Sequence, residues 1–440
     1  MKTRKKKPKS TVRHTRAIRR DRSKRINVAP PDAKIEQRLA ELLQPAIEAQ
    51  QPHYKALGLR NRILSLSVMA AIVVSMIWRQ VGGGGSEIAR LLKLEGLLWV
   101  ARTVVSQQAI SERLRTFPSE LFWRILMYIL PALHERWAGR QRPLTEELAW
   151  AKERFAAVLA VDGSSLDALV RQVGLLRGQQ TVPLAGKMMA LLDLCSQLPR
   201  HLWYNEDAQA HDQRFWTDIL SALPAGALLL FDLGFTNWAI FQQLAHLTFI
   251  TRAKVNLSFQ VHHVNRQSPN VRDMLGWVGS GPTRQLLRLV EVRYRGVWRS
   301  YLTNELNPLR LPAEYLAALY LQRWRIEDAF HIVKRLLGLA YFWNGSQQGV
   351  RLQIWATWIL YAVLVDLTDD VAQALERPFA DISIEMVYRG LYHFAQAYQR
   401  GEADDPVGYL AEHADILGIV KQRRKRSVTK FLNLTNPNGP

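Results

Sequence analysis

Cysteine is nearly missing from this chain. Cys195 stands alone in 440 residues, so no disulfide framework and no cysteine-based zinc site can form. That suits a reducing compartment, and a cytoplasmic location is expected. Long apolar runs are missing too. Residues 63–78 are interrupted by Ser65, Ser67 and Ser75, and the run at 354–365 is shorter. Both fall below the roughly 20 residues a spanning helix requires. The first also lies too far in, behind a long basic segment, for a signal peptide. Both are expected as buried core helices, and no membrane partner is expected. No repeat period is present, and low complexity is confined to two basic arms and the glycine run at 82–85.

Acid is scarce as well. Against 59 Lys+Arg stand 38 Asp+Glu, a formal charge of +21, which favours a polyanionic partner. Residues 2–25 are rich in Lys and Arg with Asp21 the only acid, and residues 421–426 read Lys-Gln-Arg-Arg-Lys-Arg. Such arms bind nucleic acid without sequence preference. The length allows two or three domains. A basic arm is expected over 1–32, a helical region over 33–150, an α/β domain over 151–375, and a C-terminal helical region with its basic tail over 376–440. Within 33–150, Ser86 and Ser106 are placed to cap two short helices. The second is rich in Gln, Ser and Arg, as in a helix-turn-helix whose Gln107 or Gln108 would pair with adenine edges. A plain helical bundle satisfies the same pattern.

From Arg154 the texture changes. Residues 155–162 are an apolar run closed by Asp162 and a Gly-Ser-Ser turn, and 228–235 form another around Asp232. Strands are expected near 188–194 and 201–204, an amphipathic helix at 208–220, and a further helix from Asn237. Residues 246–304 read as strand-rich, at 247–252, 257–262 and 286–294. A helical pattern returns from Pro312. Three strands, a helix, a strand and a later acid-bearing helix make the order of RNase H-like nucleases. Asp162 and Asp232, each closing an apolar strand, are expected at one sheet edge.

The densest chemistry lies at 320–334. Tyr320, Arg323, Glu327, His331 and Lys334 are three or four residues apart, so a helix lines them on one face. Ala317, Leu321, Phe330, Val333 and Leu337 supply an apolar side. A carboxylate flanked by a phenol and two cations suits a hydrated metal beside a phosphodiester, with Arg323, Lys334 and Tyr320 on phosphate oxygens. Ordinary ion pairs on a solvated face would show the same spacing.

Tyr, two residues, Arg, three residues, Glu, six residues, Lys is also the signature of IS4-family DDE transposases, and this chain meets it at every position. Arg323-Trp324-Arg325-Ile326 before Glu327 resembles the subgroup that excises its element through DNA hairpins. The resemblance covers most of residues 154–370. It implies an RNase H-like core with a β-rich insertion at about 246–304, and a catalytic triad of Asp162, Asp232 and Glu327. It implies two Mg²⁺ ions per site, with Mn²⁺ able to replace them, since paired divalent cations activate the nucleophile and neutralise the leaving oxygen. Gly163 departs from the family, which often has a hydroxyl residue there; Ser164 and Ser165 are the substitutes. Asp167, Asp207 and Asp328 are nearby alternative acids. Arg252 and Lys254, two apart on an expected strand, and Tyr320, Arg323, Trp324 and Lys334 would contact DNA. Trp298 would hold a flipped base. The implied partners are transposon-end double-stranded DNA, target DNA and a second copy in a synaptic dimer, in a bacterial cytoplasm. A domesticated, catalytically inactive DNA-binding protein is the alternative.

Overall fold

A computed structural model describes residues 33–79, 85–166, 186–294, 296–339 and 342–421. The N-terminal basic arm, residues 82–84 of the glycine run, Asp167 and the tail after Lys421 lie outside the described residues. Nine strands form one sheet: β1 Val158–Ser165, β2 Lys187–Asp193, β3 Pro199–Asn205, β4 Leu228–Phe231, β5 Thr248–Arg252, β6 Gln260–Gln267, β7 Val271–Val278, β8 Gln285–Tyr294 and β9 Val297–Thr303. Their spatial order is β3-β2-β1-β4-β5-β9-β8-β7-β6. The first three strands pair antiparallel. β4 lies parallel to β1 and to β5, and β9 runs antiparallel to β5. The stretch read as an insertion therefore begins with a strand of the central sheet, and its later strands prolong that sheet.

The central strands are continuous apolar runs because both sheet faces are covered. Ala160, Leu230 and Ile250 belong to one apolar cluster with Ala317, Ile326, Val333 and Trp358 from later helices. Leu159, Val161, Leu229 and Phe231 face a second cluster with Trp216 and Phe241. Strand alternation assigns Asp162 and Asp232 to the first face, beneath the helices at 313–331.

The helices of residues 33–152 share the first cluster with the sheet and with the C-terminal helices. Two apolar runs resolve as expected: Leu66–Trp78 is a buried helix, and the other lies within the helix Gln347–Ala374. The latter is long and apolar enough to cross a membrane, yet 89% of its apolar window is buried inside the fold. Near its end it carries Asp366, Asp369 and Asp370. Arg140 reaches Asp366 at 2.6 Å and Asp369 at 3.1 Å, Arg142 pairs with Asp369, and Arg38 pairs with Asp370. These ion pairs tie the N-terminal helices to the long helix.

Without Arg140 each acid keeps another cation, Arg136 and Arg38 by Asp366, Arg142 by Asp369 and Arg38 by Asp370. The loss is then that of charge-assisted hydrogen bonds, about 1.5–3 kcal/mol. Arg140→Ala should therefore lose stability of that order in urea denaturation. A loss under 1 kcal/mol would mean that the network is dispensable.

Candidate active site

β1 runs past Asp162, contrary to the expectation that the acid would close the strand. Its pairing with β2 continues through Gly163↔Met189 to Ser165↔Lys187, beyond the point where the parallel ladder to β4 stops. Asp232 does close its strand, and its side chain accepts from the Gly234 N–H at 2.8 Å. The register between β1 and β4 pairs Val158 with Leu228 and Ala160 with Leu230. Continued by two residues, it sets Asp162 beside Asp232, on neighbouring strands about 4.8 Å apart and on the same face. The β4–β5 register, Phe231↔Thr251, likewise sets Arg252 next to Asp232, and Arg252 pairs in turn with Tyr301 of β9.

Glu327 comes from above. Its helix is not continuous: Ala313–Gln322 gives way at Arg323 to Trp324–His331, and a π turn follows at Ile332–Leu336. Arg323 sits at the junction and is 6% exposed. Its Nη1 donates to Asp162 Oδ2 and its Nη2 to Glu327 Oε1, both at 2.8 Å. One guanidinium thus joins the first and third acids. Tyr320 is buried beside it, its ring centroid 5.1 Å from that of Tyr301. Burial pushes its hydroxyl up to about 12, so it remains a phenol. The Lys334 ammonium donates to the Ser165 carbonyl at 2.6 Å. Trp324 is 55% exposed at the rim, with the Arg323 guanidinium 5.5 Å from its ring centre.

The carboxylates differ electrostatically. Burial raises Asp162 to about 6; Arg323 opposes that shift, and the nearby Asp232 and Glu327 add to it. The donor set of three carboxylate groups suits a hard divalent cation. Among the described residues no three His, Cys, Asp or Glu side chains converge as ready ligands, and Arg323 holds two of the acids instead. Asp162, Asp232 and Glu327 are the residues that would hold such an ion. Arg252 Nε and Arg323 Nε are buried donors without a hydrogen-bond partner. Leaving a buried donor unmet costs about 1–3 kcal/mol, which an anionic ligand would recover.

Other sequence candidates lie apart. Lys254 is exposed and falls after β5 ends, so it shares no strand face with Arg252. Trp298 has the alternation of Leu302, which faces the second apolar cluster. Its ring is therefore on the far face of the sheet, with the Arg272 guanidinium 4.3 Å from its centre. Asp207 pairs with Arg214 at 3.2 Å, while Asp328 is turned away and exposed. His331 is exposed. Ser165 Oγ donates to the Ala208 carbonyl at 3.1 Å. Gln107 and Gln108 begin the helix Gln107–Thr116, capped by Ser106 as expected, and both are exposed. The preceding helix, Gly85–Leu94, starts early enough that Ser86 lies inside it. Sequence reading missed a groove beside Ser106 and Ala109, lined by Arg60, Arg62 and Arg113. The arginines lie too far apart in the chain for any local pattern to join them.

Residues 155–363 match the family model described as Transposase DDE domain. Asp162, Asp232 and Glu327 all fall inside that segment. Over 191 residues the chain is 30% identical to the Sinorhizobium fredii (strain NBRC 101917 / NGR234) protein named "Putative transposase y4zB". That match spans 40% of this chain and 52% of the relative, so the chain covers about half the relative's length.

The raised Asp162 sets a pH dependence of stability. An unfolded aspartate ionises near pH 4 and the folded one near 6, so between these values the folded state binds more protons. Stability therefore falls as pH rises through that window; the penalty is absent below it and complete above it. Asp162→Asn should stabilise the protein by about 2–3 kcal/mol at pH 8, and by almost nothing at pH 4. Urea denaturation at both pH values checks this, and an equal effect at both would remove the raised ionisation.

Proposed function

We propose that this chain is a DNA transposase that binds the terminal inverted repeats of its element and moves it by cut and paste. The carrying observation is that Arg323 bonds both Asp162 and Glu327 inside the matched DDE segment, while the β1–β4 register, which ends at Ala160↔Leu230, points Asp162 and Asp232 to the same side two residues further on. The strand order β3-β2-β1-β4-β5, antiparallel then parallel, supports an RNase H-like core for that segment. It counts for catalysis over the inactive DNA-binding alternative that all three acids are present and share one electrostatic environment.

Divalent Mg²⁺ or Mn²⁺, two per site in this reading, would supply activation of water and neutralisation of the leaving oxygen. Asp162, Asp232 and Glu327 hold that charge. Arg252 and Arg323 present their unmet N–H groups to phosphate oxygens flanking the cut, and Tyr320 remains a neutral donor beside them. Lys334, on the Ser165 edge of β1, adds a cation where the strand leaves the centre. A freed 3′-hydroxyl attacking the opposite strand would close a hairpin, which must bend the DNA and unstack a base. Exposed Trp324 is better placed than Trp298 to stack that base, because it shares the face of the acids. Hairpin opening and joining to target DNA then use the same acids. Pairing two ends requires a second copy, and the C-terminal helical region, roughly 380–420, is the expected place for its contacts.

The N-terminal helices read the end in this account. Gln107 and Gln108 stand free at a helix start for base edges, and Arg60, Arg62 and Arg113 line the adjoining groove for backbone phosphates.

Alanine at Asp162, Asp232 or Glu327 should reduce divalent-dependent nicking of end-containing DNA by at least about a thousandfold, with end binding retained. Gel assays of labelled ends measure both quantities. Near-normal cleavage in any one variant would strike that residue from the triad.

Replacing Arg60, Arg62 and Arg113 together by alanine should weaken binding to all DNA sequences alike. The slope of log affinity against log salt should shrink by about one unit per arginine. An unchanged slope in fluorescence titrations would take the groove out of the DNA path.

A further inference from the structure

Lys187 and Asp212 stand behind the two aspartates, and the proposed chemistry uses neither. Lys187 opens β2, and Asp212 begins the short 3-10 turn Asp212–Phe215. The Lys187 ammonium lies 2.5 Å from Asp212 Oδ1 and donates to the Ala210 carbonyl at 2.9 Å. Their side chains are 11% and 23% exposed, so the pair is largely shielded from water.

The Asp212 carboxylate presses on two glycines. A Cβ at Gly163 would stand 2.5 Å from Asp212 Oδ1, and one at Gly234 would stand 3.0 Å from Oδ2. These two glycines also hold the catalytic carboxylates. The Gly163 N–H donates to Asp162 Oδ1 and the Gly234 N–H to Asp232 Oδ1, each at 2.8 Å. A single carboxylate is thus wedged against both backbone segments that aim the pair. An anion placed this close to two others would be expelled by repulsion unless neutralised, and Lys187 provides that neutralisation.

We propose that Asp212, held by Lys187, is a positioning residue that fixes the separation and aim of Asp162 and Asp232. This rests on the functional reading above, in which those two acids hold a cation. It also accounts for the glycine after the first acid: a side chain at 163 would occupy the place of the Asp212 carboxylate. Without the wedge, the mutual repulsion of Asp162 and Asp232 spreads them, and a cation must draw them back together on binding.

Mn²⁺ binding to the full chain, followed by electron paramagnetic resonance without DNA, tests this directly. Asp212→Ala and Lys187→Met should each weaken Mn²⁺ about tenfold, with unchanged circular dichroism and unchanged affinity for end DNA. Gly163→Ala should weaken Mn²⁺ in the native background and lose most of that effect in Asp212→Ala, because the carboxylate contact is then gone. The remaining neighbours, Lys187 Cε at 2.8 Å and Met189 Cε at 3.0 Å, are ends of flexible side chains. Native Mn²⁺ affinity in both Asp212→Ala and Lys187→Met overturns the inference alone, as does full additivity of the Gly163 and Asp212 effects. If Asp162→Ala leaves Mn²⁺ affinity unchanged, the functional reading falls and this inference falls with it.

Discussion

One buried guanidinium organises the centre. Arg323 stands where the helix carrying Glu327 crosses the strand carrying Asp162, and it donates to both acids at 2.8 Å. Two carboxylates brought so near Asp232 would repel one another, and burial sharpens that repulsion. Asp162 shows the combined cost: burial foremost, with the nearby Asp232 and Glu327 adding to it, pushes its ionisation up to about 6 despite the arginine. A lysine could not replace Arg323, because only the planar fork presents two donors to two separate acids in a fixed geometry. The arginine thereby bonds the sheet to the signature helix at the acids themselves.

The same tension between charge and burial recurs away from the acids. Arg140 and Arg142 satisfy Asp366 and Asp369 inside the contact between the N-terminal helices and the long helix Gln347–Ala374. Arg288, fully buried, holds Asp273 at 2.5 Å and donates to the Leu311 carbonyl at 2.7 Å. That contact fixes the added strands β7 and β8 to the start of the helix that leads to Arg323. Buried arginines therefore register three parts of the chain against one another. Each is a specific joint, since a displaced partner would leave a charge in the core.

Legibility followed how local each signal was. Asp232 was readable because a run of four fully buried residues stops at it, and Glu327 because its helix repeats polar groups at three- and four-residue spacing. The end of β1 was misjudged because polarity changes at Asp162 while the ladder to β2 continues to Ser165. β7 was missed: Asp273 and Gly276 interrupt its alternation, yet Asp273 is buried by Arg288 and Gly276 by the Phe259 ring pressing against it. The helix Ala313–Gln322 was foreseen, but not the break at Arg323 or the π turn around Lys334, neither of which residue type announces. The Asp212 wedge and the Arg60–Arg62–Arg113 groove depend on long-range packing. No spacing rule could bring them together.

The central claim is that Asp162, Asp232 and Glu327 form one cation centre despite the arginine now joining two of them. A crystal structure of the chain with end DNA and Mn²⁺, using anomalous scattering, tests it most directly. The account predicts two anomalous peaks about 4 Å apart, ligated by these three carboxylates, with the Arg323 guanidinium moved onto a phosphate oxygen. Saturating Mn²⁺ with no peak among the three acids, and Arg323 still joined to Asp162 and Glu327, would contradict it.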